Sequence, residues 1–74
     1  MLLSNFESFL TIAEMKSITK AAQKLYMSQP SLSQYLSKLE NEIGLRLFER
    51  KNNKMELTCA GKKYLDYVNK FVEM

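Results

Sequence analysis

The stretch from residue 29 to residue 43 carries the side chains best suited to chemistry. At ~100° per residue of an α-helix, one side of it presents amides, hydroxyls and one lysine, with no acid at its centre. Side-chain amides can bond adenine in a bidentate fashion, hydroxyls reach bases or phosphates, and a lysine reaches guanine or phosphate. This side therefore suits the DNA major groove, although polar filler is the plain alternative. It comprises Pro30, Ser33, Gln34, Ser37 and Asn41, with Lys38 at its edge.

A second candidate is the segment Arg50–Lys54, which has three basic residues around an Asn-Asn pair. Such a segment suits the phosphate backbone or the edge of the minor groove, where the negative potential is enhanced. The alternative is a charged loop kept for solubility. A basic element that follows a helix of the kind described above favours the first interpretation.

The net charge of +3 is small, but the charges are segregated along the chain. Residues 16–38 hold four lysines and no acid, and residues 50–54 hold three basic residues and no acid. The acids predominate in residues 1–15 and 39–49. Two basic stretches without acids favour docking of a polyanion over ordinary solvated surface charge.

Composition excludes several classes of protein. With no histidine and one cysteine, the 74 residues cannot build a His/Cys zinc site or a disulfide framework, which fits a reducing cytoplasm. No apolar run approaches the ~18–20 residues of a membrane span. No cofactor is expected. The chain is not expected to be an enzyme either, because it has no nucleophile–base pair and no glycine-rich phosphate loop. A chain of this length forms one small domain without a sizeable pocket.

Apolar residues at three- and four-residue gaps predict two helices at the start of the chain. The first covers residues 3–14, with Ser4 as its N-cap and Glu7 as the capping-box partner. Ser17 is then predicted to cap a short second helix. The side chains expected on the buried faces are Leu3, Phe6, Phe9, Leu10, Ala13, Ile18, Ala21, Ala22 and Leu25.

A short connection at residues 26–27 is expected to lead into the third helix. Ser28 is its predicted N-cap, and Pro30 lies in the first turn, where a missing N–H costs nothing. Gly44 is predicted to end the helix. Two helices joined so closely are typical of a helix-turn-helix. The side chains expected to face the core are Leu32, Leu36, Leu39 and Ile43.

After Gly44 the apolar period changes to two, which predicts a hairpin over residues 46–57. Asn52 and Asn53 are expected at its turn, because asparagine tolerates positive φ. Thr58 can cap a last helix. The apolar residues that alternate on the two strands are Leu45, Leu47, Met55 and Leu57, and the stripe of the last helix is Tyr64, Leu65, Val68, Phe71 and Val72.

The sequence resembles the start of a LysR-type transcriptional regulator of bacteria, without a gap from residue 3 to about 65. Many positions at fixed spacing carry this resemblance. They are Phe9, residues 17–25, residues 28–33, Leu39-Glu40, Ile43-Gly44, residues 47–50, Leu57-Thr58 and Ala60-Gly61.

The resemblance implies a mainly α fold with a small β-hairpin, a winged helix-turn-helix followed by a linker helix. The third helix would enter the major groove of double-stranded DNA and the hairpin would be the wing. The residues facing bases would be Gln29, Pro30, Ser33 and Gln34. The other predicted DNA-binding residues are Ser17, Thr19, Lys20, Ser28, Ser31, Ser37, Lys38, Arg50, Lys51, Asn52, Asn53 and Lys54.

The resemblance further implies a division at Thr58, with a DNA-binding domain in residues 1–58 and the start of a dimerisation helix in residues 59–74. That helix would pair with a second copy, and a full-length protein could assemble further. The family's effector-binding domain is absent from these 74 residues, so no small-molecule site can be assigned. The predicted dimer interface is Tyr64, Leu65, Val68, Phe71 and Val72.

Three positions depart from the family pattern. Gln34 stands where arginine is frequent, which keeps an amide and loses a charge, and Tyr35 stands where glutamine is common. Cys59 replaces a frequent acid or proline, so redox sensing is conceivable beside the simpler interpretation of a tolerated small residue. The competing function is a winged-helix protein-interaction module, which would need an apolar patch on the third helix's outer side.

Overall fold

The computed structural model describes residues 2–72, with side-chain surroundings from residue 6 to residue 71. The elements follow the predicted order of three helices, a hairpin and a helix. The winged helix-turn-helix prediction is thereby confirmed. The elements are α1 (Leu2–Met15), α2 (Ile18–Lys24), α3 (Gln29–Ile43), β1 (Phe48–Lys51), β2 (Lys54–Leu57) and α4 (Cys59–Val72).

The core lies where α1, α2, α3 and the base of the hairpin meet. Its largest fully buried side chains include Phe9 and Ile12 of α1, Leu32 of α3, and Leu47 and Phe48 at the start of the hairpin. The rings of Phe9 and Phe48 lie 5.4 Å apart, so α1 supports the wing directly. Burying each such side chain contributes about 1.5–3 kcal/mol, which is how this small core holds the wing against the helices.

Local capping signals set the ends of the helices. Ser17 Oγ accepts a hydrogen bond from Lys20 N at 3.1 Å, and Ser28 Oγ accepts one from Ser31 N at 3.2 Å. Gly44 adopts the left-handed φ of 83° that a side chain disfavours, and its N–H donates to Glu40 O at 2.8 Å. The predicted caps at these three positions are confirmed.

The hairpin is held by its turn and by the segment that joins α1 to α2. Asn52 and Asn53 have φ of 53° and 62°, the positive values of a two-residue hairpin turn. The predicted turn is therefore confirmed. Met55 N donates to Lys16 O at 3.0 Å, which ties β2 to the break between the first two helices.

Three details of the sequence-based prediction are wrong. Ser4 is not an N-cap, because α1 already includes Leu2. Ile43 is 36% exposed, since the last turn of α3 extends past the packed core. Leu45 is 57% exposed and does not lie on a strand, because β1 begins only at Phe48 and the preceding Leu47 N–H donates to the carboxylate of Glu40.

The helix α4 packs onto the helix-turn-helix at its start and middle. Thr58 caps it as predicted, with Oγ1 accepting from Gly61 N at 3.0 Å. A Cβ added at Gly61 would collide with the carbonyl oxygen of Leu47, so only glycine allows this close approach. Val68 is fully buried in the chain's own core. It has no surface left for a partner, and its assignment to a dimer interface is wrong.

Candidate nucleic-acid interface

A tight turn sets the angle at which α3 leaves α2. Leu25 N donates to Ala21 O at 3.0 Å, and Met27 N donates to Ala22 O at 2.9 Å. Ala21 and Ala22 are buried, and their small side chains let α3 approach α2 closely. Tyr26 lies in the turn at φ 58° and is 96% exposed, a prominence that no periodic pattern could predict.

This geometry leaves one side of α3 open to solvent. Leu32 and Leu36 face inward, and Ser33 and Gln34 between them project outward. Leu39 is partly buried and packs on the same core. Every residue predicted for this outer face is exposed, and the acids of α3 lie elsewhere. The exposed residues of this outer face are Gln29, Pro30, Ser33, Gln34, Ser37, Lys38 and Asn41.

Hydrogen bonds fix the polar side chains at the first turn of α3. Thr19 Oγ1 donates to Gln29 Oε1 at 3.2 Å, which joins α2 to α3 across the turn. Ser28 Oγ donates to Ser31 Oγ at 2.8 Å, while it also accepts from Ser31 N. Four of the predicted DNA-binding residues are therefore brought together and held at one end of the helix.

The wing tip is a contrasting group of basic residues. Arg50, Lys51 and Lys54 are all exposed, and within residues 2–72 none of them forms an ion pair. Lys51 lies directly opposite Lys54 in the hairpin register. Like charges at such a position destabilise a hairpin, and a bound polyanion would relieve the repulsion.

Glu40 joins the wing to α3, a role that the sequence analysis missed. Its Oε2 accepts from Leu47 N at 2.8 Å and from Phe48 N at 3.2 Å. The side chain is only 14% exposed and lies 3.9 Å from Arg46 Nε. The only sequence feature that pointed to Glu40 was its position beside the apolar stripe of α3. That position does not show which backbone N–H groups the carboxylate would bind.

The basic residues near α2 have different surroundings. Lys20 is exposed at the first turn of α2, and Ser17 is half-buried with its oxygen used in the cap. Lys24 Nζ bonds Glu14 Oε1 at 2.9 Å, so part of the positive charge in residues 16–38 is paired with α1. Within residues 2–72 Lys20 forms no ion pair, whereas Lys24 has a partner.

The aromatic residues of α4 form a ladder that continues onto α1. The ring of Tyr67 lies 6.2 Å from Tyr64 and 5.7 Å from Phe71, and Phe71 lies 5.6 Å from Phe6. Tyr67 is 54% exposed and Phe71 is 45% exposed. Tyr64 and Leu65 are half-buried. The Val72 side chain lies outside the described residues.

Tyr35 is turned away from the outer face of α3. Burial raises the pKa of its phenol to about 12, the nearby Tyr64 adds to the rise, and a hydrogen bond with the backbone of Phe9 opposes it. The phenol is therefore neutral at physiological pH and serves the packing of α3 on α1. Tyr35, which stands where the family commonly has glutamine, therefore affects the packing of the core and not the contacts to bases.

In the described part of the chain no three His, Cys, Asp or Glu residues come close enough to hold a metal ion. No helix in that part is long and apolar enough to cross a membrane. Cys59 is an exposed free cysteine at the first position of α4.

Residues 3–62 match the family model described as the bacterial regulatory helix-turn-helix protein, lysR family. The chain belongs to the LysR family. The regulator CitR of Bacillus subtilis is similar, with 36% identity over 66 residues, which are 89% of this chain and 23% of CitR. Members of this family are DNA-binding transcriptional regulators, not enzymes.

Solved structures of LysR-family domains on DNA share the fold. The BenM_DBD/benA site 1 DNA complex has a TM-score of 0.88 and 36% identity, over 99% of this chain and 85% of that one. The CbnR_DBD–DNA complex has a TM-score of 0.87 and 32% identity, over 99% of this chain and 84% of that one. The chain spans about a quarter of the length of the curated relatives it matches.

Proposed function

We propose that this chain binds double-stranded DNA in a sequence-specific manner, as a dimer that regulates transcription. The observation that carries the proposal is the outer face of α3, which is exposed, free of acids at its centre and flanked by a cationic wing tip that forms no ion pair within residues 2–72. Phosphate contacts would supply most of the affinity, and amides and hydroxyls on α3 would supply the base preference.

The proposed contacts divide into two groups. Base edges would be contacted by the outer face of α3 near its N-terminus, because that end of a recognition helix enters the groove first. The base-facing residues would be Gln29, Pro30, Ser33 and Gln34. The residues proposed to approach sugar or phosphate are Ser17, Thr19, Lys20, Ser28, Ser31, Ser37, Lys38, Arg50, Lys51, Asn52, Asn53 and Lys54.

The proposed dimer uses α4 as the linker helix, with residues 59–74 as its start and residues 1–58 as the DNA-binding domain. Tyr67 and Phe71 carry exposed aromatic surface that a second copy would cover. Tyr64 and Leu65 would lie at the margin. Two copies related by symmetry would contact an interrupted inverted repeat, with half-sites about one helical turn apart or a multiple of it.

The remaining properties of the whole protein are also proposals. The family assignment supports a larger regulator with an effector domain beyond these residues, acting in the bacterial cytoplasm and on the nucleoid when bound.

A fluorescence anisotropy titration tests the DNA-binding proposal. Duplexes enriched from a random pool should bind more tightly than a scrambled duplex of the same composition. The logarithm of the affinity should fall linearly with the logarithm of salt, with a slope near −0.9 per phosphate neutralised. Affinity independent of salt, with no preference between the two duplexes, would reject the proposal in favour of a protein-interaction module.

Sedimentation tests the dimer. Phe71→Asp should shift the chain toward monomer, because it places a charge on the exposed aromatic surface proposed as the seam. The control is Lys62→Asp, which introduces the same side chain at an exposed position at the start of α4 and changes the charge by two units instead of one, and it should leave the dimer intact. Val68→Asp does not serve here, since Val68 is fully buried within one chain and the change would unfold it. A dimer unaffected by Phe71→Asp would place the seam elsewhere.

A further inference from the structure

A hydrogen bond between α2 and α3 determines which atom of Gln29 faces outward. Thr19 Oγ1 donates to Gln29 Oε1 at 3.2 Å, although the two residues are ten positions apart. Thr19 lies in the first turn of α2 and Gln29 is the first residue of α3. Both side chains are exposed, so the bond lies on the surface proposed to meet DNA.

The backbone around both residues is fixed. Ser17 caps α2 two residues before Thr19, and Ser28 caps α3 immediately before Gln29. The β-branched side chain of Thr19 also has few rotamers in a helix, and its hydroxyl can bond only where the rotamer directs it. The amide of Gln29 is therefore oriented by a rigid neighbour before any ligand arrives.

This bond gives the first turn of α3 a defined polarity. The Gln29 oxygen accepts from Thr19, while both hydrogens on its Nε2 remain available as donors. Ser31 shows the same polarity, because its Oγ accepts from Ser28 and its own hydroxyl hydrogen remains available. Donors rather than acceptors thus predominate at the end of α3 that would enter the groove.

We propose that Thr19 is a positioning residue that makes Gln29 a donor, so that Gln29 selects guanine or thymine in the major groove. This inference rests on the proposed function. Guanine presents N7 and O6 and thymine presents O4, all acceptors. Adenine presents one acceptor, N7, beside its N6 amino group, a donor whose partner would have to be the Gln29 oxygen that already accepts from Thr19. A bidentate contact to adenine requires the amide oxygen that Thr19 holds.

Selection from random duplexes, with four forms of the protein, tests the inference. Gln29→Ala identifies the base position that Gln29 contacts, as the position whose preference disappears. The wild type should select guanine or thymine there. Thr19→Val, of nearly equal shape, should raise the relative affinity for adenine at that position by about 3- to 10-fold, the value of one hydrogen bond. Thr19→Ser should restore the wild-type preference, because it restores the hydroxyl.

The outcomes separate the inference from the proposed function. Adenine selected by the wild type, or a Thr19→Val preference identical to that of the wild type, would overturn the inference alone. The same holds if Thr19→Val weakens every duplex equally, because Thr19 would then be only a phosphate contact. If the wild type enriches no duplex, the proposed function fails and the inference fails with it. Thermal unfolding of Thr19→Val should match the wild type, since Thr19 is exposed.

Discussion

The first turn of α3 and the tip of the wing both face solvent, yet they are organised in opposite ways. At the first turn of α3, polar side chains are neutral and are bonded to one another, as Gln29 is to Thr19. At the wing tip, cationic side chains carry no ion pair in the described part of the chain, and Lys51 faces Lys54 directly. The first turn of α3 therefore has oriented hydrogen-bonding groups, whereas the wing tip has concentrated positive charge.

This difference matches two separate requirements of nucleic-acid recognition. Discrimination between bases depends on where donors and acceptors are placed, and side chains that are held in position provide it. Attraction to phosphates depends on charge and works over several ångströms without a fixed geometry. Four predictions, in order of decreasing effect, test whether the first turn of α3 is a readout region for bases and the wing tip an attraction region for phosphates.

The largest effect is expected where the two regions are joined. Glu40→Ala removes the carboxylate that accepts from Leu47 N and Phe48 N, so two buried N–H groups lose their partner. The free energy of unfolding should fall by about 2–3 kcal/mol. Chemical denaturation measures it, with Glu42→Ala as the matched control on the same helix, because Glu42 is exposed and should change stability little.

The same variant also tests whether the regions act separately. Under conditions where Glu40→Ala remains folded, the wing should lose its fixed position and overall DNA affinity should fall. The base preference set by α3 should remain. A changed base preference without a change in stability would mean that the wing and α3 recognise bases together. The distinction between a readout region and an attraction region would then be wrong.

The second prediction concerns the readout region. Gln29→Ala should cost about 1–3 kcal/mol in binding to the preferred duplex and relax the preference at one base position. Binding to a scrambled duplex should change little, because the phosphate contacts remain. Competition titrations with both duplexes measure the two effects. An unaltered preference would show that the end of α3 does not contact bases.

The third prediction concerns the attraction region. Lys54→Ala should weaken all duplexes alike, by about 1 kcal/mol, and lower the salt slope by about one. The control is Lys62→Ala, which removes an equally exposed lysine on α4 and should leave the slope unchanged. A sequence-dependent loss at Lys54 would give the wing tip a share in base readout.

Local signals explain most of what could be predicted from the sequence. Ser28, Gly44 and the Asn52-Asn53 pair each act on the backbone within four residues, so their caps and turn follow from residue type alone. A helical period predicts a stripe but not what covers it, which is why Val68 was assigned to a partner when its own core covers it. The prediction for Ile43 was wrong for the opposite reason, because Ile43 belongs to the apolar stripe of α3 but no part of the core covers it.

The contacts between α2, α3 and the wing could not be predicted. The bond from Thr19 to Gln29 depends on how α2 packs against α3, and the bonds from Glu40 depend on where the wing begins. The two residues of each pair do not share a helix or a strand, so no periodicity within one element relates them. The sequence therefore identified the exposed residues of α3 as candidates but could not show that Gln29 is already oriented by Thr19.

The smallest effect is expected at the turn of the wing, where Asn53 could either contact DNA or only form the turn. Asn53 has φ 62°, which asparagine and glycine both tolerate, so Asn53→Gly should change the free energy of unfolding by at most about 0.5 kcal/mol. Asn53→Ala should cost about 1 kcal/mol, because alanine disfavours that backbone.

DNA binding then separates the two roles of Asn53. If its amide contacts DNA, Asn53→Gly should reduce affinity by about threefold for every duplex, the lower range for one hydrogen bond, while leaving stability intact. Because the wing tip is an attraction region, no base position should change. Affinity equal to that of the wild type would assign Asn53 to the turn alone, and the wing tip would then act through Arg50, Lys51 and Lys54 only.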